Sequence, residues 1–142
     1  MKVKSLLETK SKEVVSIDAN DSVEDTIRLM HSKKISAVIV NDKKKTVGIF
    51  TERDVVRCYV SKGKRKFRDI QVKEAMTTNL IAAKKDDDIS DIMSTMVEKN
   101  IRHLPVVEKG KVIGMLSVRD IIQAQVSKLT SEIDHLKHYI SS

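Results

Sequence analysis

Two short stretches of this chain each hold a hydroxyl, an arginine and a carboxylate: Thr51, Arg53 and Asp54, and again Ser117, Arg119 and Asp120. Each hydroxyl stands three residues after a glycine, Gly48 or Gly114. Both sets follow an apolar run that reads as a strand and open a run that reads as a helix. A strand end meeting a helix start offers free backbone N–H groups and the positive end of the helix dipole, which favours an anion. An arginine beside it can pair with phosphate. Taken singly, the same residues have plainer roles, Asp54 and Asp120 as helix N-caps and Thr51 and Ser117 as turn formers. No nucleophile lies near a general base, and neither a Walker loop nor a metal-ligand cluster occurs. Cys58 is the only cysteine, which excludes an intramolecular disulfide and any multi-cysteine metal site. His135 and His138 share a helix face, but two nitrogens make a poor metal site. The expected chemistry is binding, with no enzymatic activity.

The elements that position these residues come as a repeat. A shift of 66 residues lays 17–57 on 83–123 without a gap, with eleven identities among 41 positions: Asp21/Asp87, Asp25/Asp91, Met30/Met96, Lys33/Lys99, Ile35/Ile101, Val40/Val106, Lys43/Lys109, Lys45/Lys111, Gly48/Gly114, Arg53/Arg119 and Asp54/Asp120. Each copy opens with a short apolar stretch suited to a strand, Val14–Ile17 or Leu80–Ala83. Acidic and polar residues follow (Asn20-Asp21-Ser22; Asp86-Asp87-Asp88), able to cap a helix whose apolar residues recur at helical spacing, Val23, Ile27 and Met30 or Ile89, Met93 and Met96. Two strands joined by a charged turn come next, Ala37–Val40 with Val47–Phe50 and Leu104–Val107 with Val112–Leu116. A helix beginning near Asp54 or Asp120 closes the unit. The fold class predicted is α/β (α+β), β-α-β-β-α twice, with the open sheet faces buried against each other. The predicted division is 1–60 first repeat, 61–69 basic linker, 70–123 second repeat and 124–142 a C-terminal helix.

The segments VGIFTERDVV (47–56) and IRHLPVVEKGKVIGMLSVRDII (101–122) resemble the CBS domain, named after cystathionine β-synthase, and the likeness runs from Val3 to about Gln123. Copy one departs from the family pattern, with Ile39 where proline is common and Ala37-Val38 in place of His-Leu. The resemblance implies a paired, Bateman-type module with up to two pseudo-two-fold-related clefts for AMP, ADP, ATP or S-adenosylmethionine, and a homodimer. It places the family's Gly-x-x-Thr/Ser-x-x-Asp pattern on Gly48, Thr51 and Asp54, and on Gly114, Ser117 and Asp120. It implies that the aspartate takes the ribose hydroxyls and the hydroxyl lies near phosphate. Ser36 and Ala37, with Arg102 and His103 in copy two, would contribute backbone groups to adenine and, in copy two, side chains toward phosphate. A carboxylate with two accepting oxygens does suit a vicinal diol. His103, at a strand start, fits a packed core position as readily as a ligand contact.

Composition sets the remaining limits. With 40% hydrophobic residues but only Phe50, Phe67, Tyr59 and Tyr139 as aromatics, the core is aliphatic and stacking platforms are few. A net charge of +7 points to anionic partners or to a lysine-rich surface. Residues 57–68, RCYVSKGKRKFR, hold six positive charges and no acid. They read either as a solvated linker or, through Lys62, Lys64, Arg65, Lys66 and Arg68, as a contact for RNA or DNA. After the second copy, Ile122, Val126, Leu129, Ile133, Leu136 and Ile140 form an a/d stripe. That stripe either pairs with a second copy or lies on its own module. No apolar run has membrane-spanning length and no secretory segment opens the chain, so it reads as cytoplasmic. The function expected is a nucleotide-binding regulatory module acting on a separate protein in trans, the alternative a basic nucleic-acid binder using the pair as scaffold. No cofactor is required beyond the adenosine nucleotide, with or without Mg, and no metal site is expected.

Overall fold

The structure, a computed structural model, describes residues 1–9 and 13–141. Its elements are α1 (Val3–Glu8), β1 (Ser16–Asp18), α2 (Val23–Lys33), β2 (Ala37–Asp42), β3 (Lys45–Thr51), α3 (Glu52–Ser61), a 3-10 turn (Phe67–Asp69), α4 (Val72–Ala75), α5 (Ile89–Lys99), β4 (His103–Glu108), β5 (Lys111–Ser117) and α6 (Val118–Ser141). The fold is mixed α/β, with two sheets. No helix among the described residues is long and apolar enough to cross a membrane.

The first sheet runs β1-β2-β3, with β1 parallel and β3 antiparallel to β2. Among the described residues, the second contains β4 and β5 alone. The strand expected over Leu80–Ala83 shrinks to an isolated parallel bridge between Ala83 and Val106. Proline accounts for the difference. Ile39 N–H donates to the Val15 carbonyl at 3.1 Å. Its counterpart under the 66-residue shift is Pro105, which has no N–H to give. The bridge survives on the flanking bonds, Ala83 N–H to Pro105 O and Val107 N–H to Ala83 O, both 2.9 Å.

Local chemistry sets the helix limits. Ser22 Oγ accepts from Asp25 N–H and the Asp88 carboxylate from Ser90 N–H, both at 3.0 Å. The Ser90 bonds hold the Asp88 carboxyl below its usual pKa. Both helices end on left-handed residues, Lys34 (φ 55°) and Asn100 (φ 54°). The next N–H groups, of Ile35 and Ile101, then reach back to Met30 and Met96 carbonyls at 3.0 Å, the bond that marks a Schellman ending.

The chain forms two compact units that do not coincide with the two sequence repeats. One comprises Glu13–Ile81 with Gly110–Val112, the other Met1–Lys12, Ala82–Lys109 and Ile113–Ser142. Each has its own core; in the first, aliphatic Val23, Met30, Val38, Val40 and Val72 surround the fully buried aromatic Phe50. The other is built on Val3, Ile89, Met96, Leu104, Val106, Leu116 and Ile121. The segment ahead of the first repeat thus completes the unit containing the second. Val3 N–H bonds Asp87 O at 2.9 Å, Lys4 N–H bonds Lys85 O at 3.0 Å and Ile89 N–H bonds Met1 O at 3.0 Å. In the other unit Val72 N–H bonds Asp21 O (2.8 Å), Lys73 N–H bonds Ala19 O (3.1 Å) and Val23 N–H bonds Ile70 O (2.8 Å). The two clasps are therefore equivalent, related by a shift of 69 that carries Val3-Lys4 onto Val72-Lys73.

The tail continues the second repeat without a break. α6 is one helix of 24 residues, about 36 Å long. Val118, Ile121 and Ala124 pack on the core of their unit, and every described residue from Gln125 onward is exposed.

Candidate functional site

Each repeated hydroxyl–carboxylate pair folds as a capping box. Thr51 is the N-cap of α3, its Oγ1 accepting from Asp54 N–H (3.4 Å) while Asp54 Oδ2 accepts from Thr51 N–H (2.9 Å). At the start of α6, Ser117 Oγ accepts from Asp120 N–H (3.1 Å) and Asp120 Oδ2 accepts from Ser117 N–H (2.9 Å). The spacing of three matters because the N-cap and N3 residues of a helix reach each other's backbone only at that separation. The residues do cap their helices, but with the parts exchanged: the hydroxyl residues expected as turn formers stand at the cap, and the aspartates expected there occupy N3.

The strand before each box is tied to it. Ser36 O accepts from Glu52 N–H at 3.1 Å, and Arg102 O accepts from Val118 N–H at 2.9 Å. Ala37 stands opposite Thr51 in the β2–β3 register. The structure therefore gathers Ser36, Ala37, Thr51 and Asp54 at one strand–helix junction and Arg102, His103, Ser117 and Asp120 at the other. Arg53 and Arg119 lie exposed in the first helical turns, while Arg102 is exposed and His103 half-buried.

The glycines answer to packing. A Cβ on Gly48 would stand 2.6 Å from Met76 Sδ and 2.8 Å from the Thr77 carbonyl oxygen; one on Gly114 would meet Leu7 Cδ2 at 2.8 Å. Each glycine lets its clasp cross the strand closely, and Leu7 and Met76 match under the 69-residue shift.

The two carboxylates differ in their surroundings. Asp54 is 1% exposed. Its Oδ1 accepts from the Thr77 hydroxyl at 2.9 Å and pairs with Arg57, which also donates to Thr77 Oγ1 at 3.1 Å. Asp120 is half-buried. The residues matching Arg57 and Thr77 are Gln123 and Glu8, so that arginine and that hydroxyl have no counterpart in copy two. Thr77 was not singled out in the sequence, although it follows the Val72-Lys73 match that marks the clasp. One turn beyond Asp54, Cys58 is buried in the core, and burial pushes its thiol pKa up.

The basic segment is partly engaged within its own unit. Arg65 pairs with Glu74 at 3.1 Å and donates to Asp69 O at 3.0 Å. That hydrogen bond, with a further one from Gln71 N–H, holds the Glu74 carboxyl below its usual pKa. Lys62 caps α3 through its N–H to Cys58 O at 2.9 Å. Lys64, Lys66 and Arg68 are exposed, whereas Phe67 is half-buried, edge-on to Tyr59 at 6.5 Å between centroids. No group of three or more potential metal-binding His, Cys, Asp or Glu occurs among the described residues.

Comparison with known proteins places this architecture in a family. The CBS-domain model matches residues 3–61 and 72–127, and the chain belongs to the CBS-domain family. It is 30% identical over 126 residues to the mitochondrial CBS domain-containing protein CBSX3 of Arabidopsis thaliana, covering 85% of this chain and 61% of that relative. Among solved structures, the CBS domain protein NE2398 superposes with TM-score 0.85 at 37% identity, covering 89% of this chain and 98% of the other. The CBS domain pair of protein MJ0100, in complex with 5′-methylthioadenosine and S-adenosyl-L-methionine, superposes with TM-score 0.78 at 25% identity, covering 90% and 98%.

Proposed function

We propose that this chain is a non-enzymatic regulatory module that binds an adenosine-type ligand, with the Ser117–Asp120 junction as the tighter site and a separate protein as the target of the response. The observation that carries the ranking is the contrast between the two carboxylates. At Asp54 a ribose diol would have to displace a buried network of Thr51, Thr77 and Arg57. Asp120 is half-buried at a junction that also carries the exposed Arg102 and Arg119 and the half-buried His103, basic groups that suit the phosphates of a nucleotide or the carboxylate of S-adenosylmethionine. The chemistry fits a diol on the carboxylate, an anion at the helix start and adenine against aliphatic walls. Support for the ligand class comes from the complexed MJ0100 pair.

The test is calorimetric titration with AMP, ADP, ATP, S-adenosylmethionine and 5′-methylthioadenosine. At least one should bind, and Asp120→Ala should weaken it about ten- to a hundredfold, the effect of losing a charged hydrogen-bond partner worth roughly 1.5–3 kcal/mol. Asp54→Ala should matter less. If no adenosine ligand binds, while RNA binds with a steep salt dependence that disappears on replacing Lys64, Lys66 and Arg68, the reading is wrong and the chain is a nucleic-acid binder.

A further inference from the structure

We propose that α6 pairs with α6 of a second copy of this chain as a parallel, in-register two-stranded coiled coil. The structure leaves its apolar stripe uncovered: Ile122 is 49% exposed, Val126 55%, Leu129 57%, Ile133 51%, Leu136 62% and Ile140 80%. Those residues follow alternating steps of four and three, the heptad rhythm of a coiled-coil seam. Their types then select among partners. Val126, Ile133 and Ile140 occupy a positions, with Leu129 and Leu136 at d and Ile122 at the preceding d. Branched residues at a with leucine at d favour two parallel strands over three or four.

Charge selects the same arrangement. Glu132 falls at g and Lys137 at the following e. In a parallel, in-register pair each g residue faces the e residue five positions on in the other helix, so Glu132 meets Lys137 of the second copy, twice by symmetry. An antiparallel pair overlapping over the same stripe would instead set Glu132 against its own duplicate, a like-charge contact. The remaining g and e residues, Gln123, Gln125, Thr130 and Tyr139, are uncharged and oppose neither arrangement. The occupant of this face is therefore the chain itself. Because Ser117 and Asp120 sit at the N-terminal end of α6, the parallel coil brings the two copy-two junctions to the same end of the rod. The inference does not depend on what binds there.

The full chain should be a dimer by light scattering at micromolar concentration. Ile133→Asp should weaken self-association on the order of a hundredfold or more. Its melting should persist, since Ile133 lies beyond the part of α6 packed on the unit. Glu132→Lys should also weaken the dimer, and adding Lys137→Glu should restore it. Orientation is read by oxidation. An Ile140→Cys chain should crosslink to itself, with the wild type and its buried Cys58 as control. A mixture of Ile122→Cys and Ile140→Cys chains should give no mixed product. A monomeric wild type, a dimer indifferent to Ile133→Asp, or crosslinking only between the two different variants would each overturn the proposal.

Discussion

The two repeats build the same reciprocal box at the same junction and then use its carboxylate differently. In copy one, Arg57 and the clasp residue Thr77 close over Asp54 and remove it from solvent. In copy two the matching residues are Gln123 and Glu8, and Asp120 stays half-buried. Duplication thus preserves the part of the motif that folds a helix more faithfully than the surroundings of its carboxylate. A shared pattern locates a junction; the residues one turn on and across the clasp set how deeply its carboxylate is buried.

The largest expected effect sharpens that comparison through stability. Asp54→Ala strands the Thr51 N–H and Thr77 hydroxyl and removes a buried acceptor of charge, so it should cost about 3 kcal/mol. Asp120→Ala removes one arm of a capping box from a half-buried rather than fully buried carboxylate and should cost less, about 1–2 kcal/mol. Urea unfolding of the two variants measures the difference, and equal losses would mean that the buried network adds nothing beyond the cap. The ligand titration should show the opposite order, so one pair of substitutions ought to separate folding from binding.

The glycines provide a smaller contrast. Gly48→Ala meets both a side chain and the Thr77 backbone carbonyl, and should cost about 1–3 kcal/mol, the usual penalty of overpacking. Gly114→Ala meets only the end of Leu7, which can turn aside, and should cost less than about 1 kcal/mol. Thermal melts of the pair would refute this if Gly114→Ala proved the more damaging.

The smallest effects lie in the hairpin turns. Lys43 (φ 50°) and Lys44 (φ 68°) hold left-handed angles where copy two has Lys109 (φ 51°) and Gly110 (φ 76°). Two-residue turns of this hand favour glycine. Lys44→Gly should stabilise by up to about 1 kcal/mol, and Gly110→Ala should destabilise by a similar amount. Melting shifts of the same sign would break the comparison.

Much of this was legible in the sequence. The gapless 66-residue repeat revealed both helix–strand–strand–helix runs, and the junction residues of each copy do converge. Three features were hidden for physical reasons. The clasps escaped because the stretch from Thr9 to Ile17 is three residues longer than that from Thr78 to Ala83, which moves the match from a shift of 66 to one of 69. The lost strand at Leu80–Ala83 depended on one missing N–H across the sheet, at Pro105. The closure of Asp54 depended on Thr77, 23 residues away and brought near only by packing. The proposed ligand class comes from the family likeness, since no spacing within the chain specifies one.

The exchange of clasps also has a consequence for the order of synthesis. One unit is almost contiguous, Glu13–Ile81 carrying its own clasp, and a growing chain can assemble nearly all of it as soon as those residues have emerged. The other cannot be completed at that stage, because Val3 and Lys4 must wait for the carbonyls of Asp87 and Lys85. Contacts spanning more than eighty residues form slowly, since the intervening loop must close first. During that interval Val3 and Leu6, both buried in the finished protein, face water, and the nascent chain carries an apolar segment that only its own later half can cover.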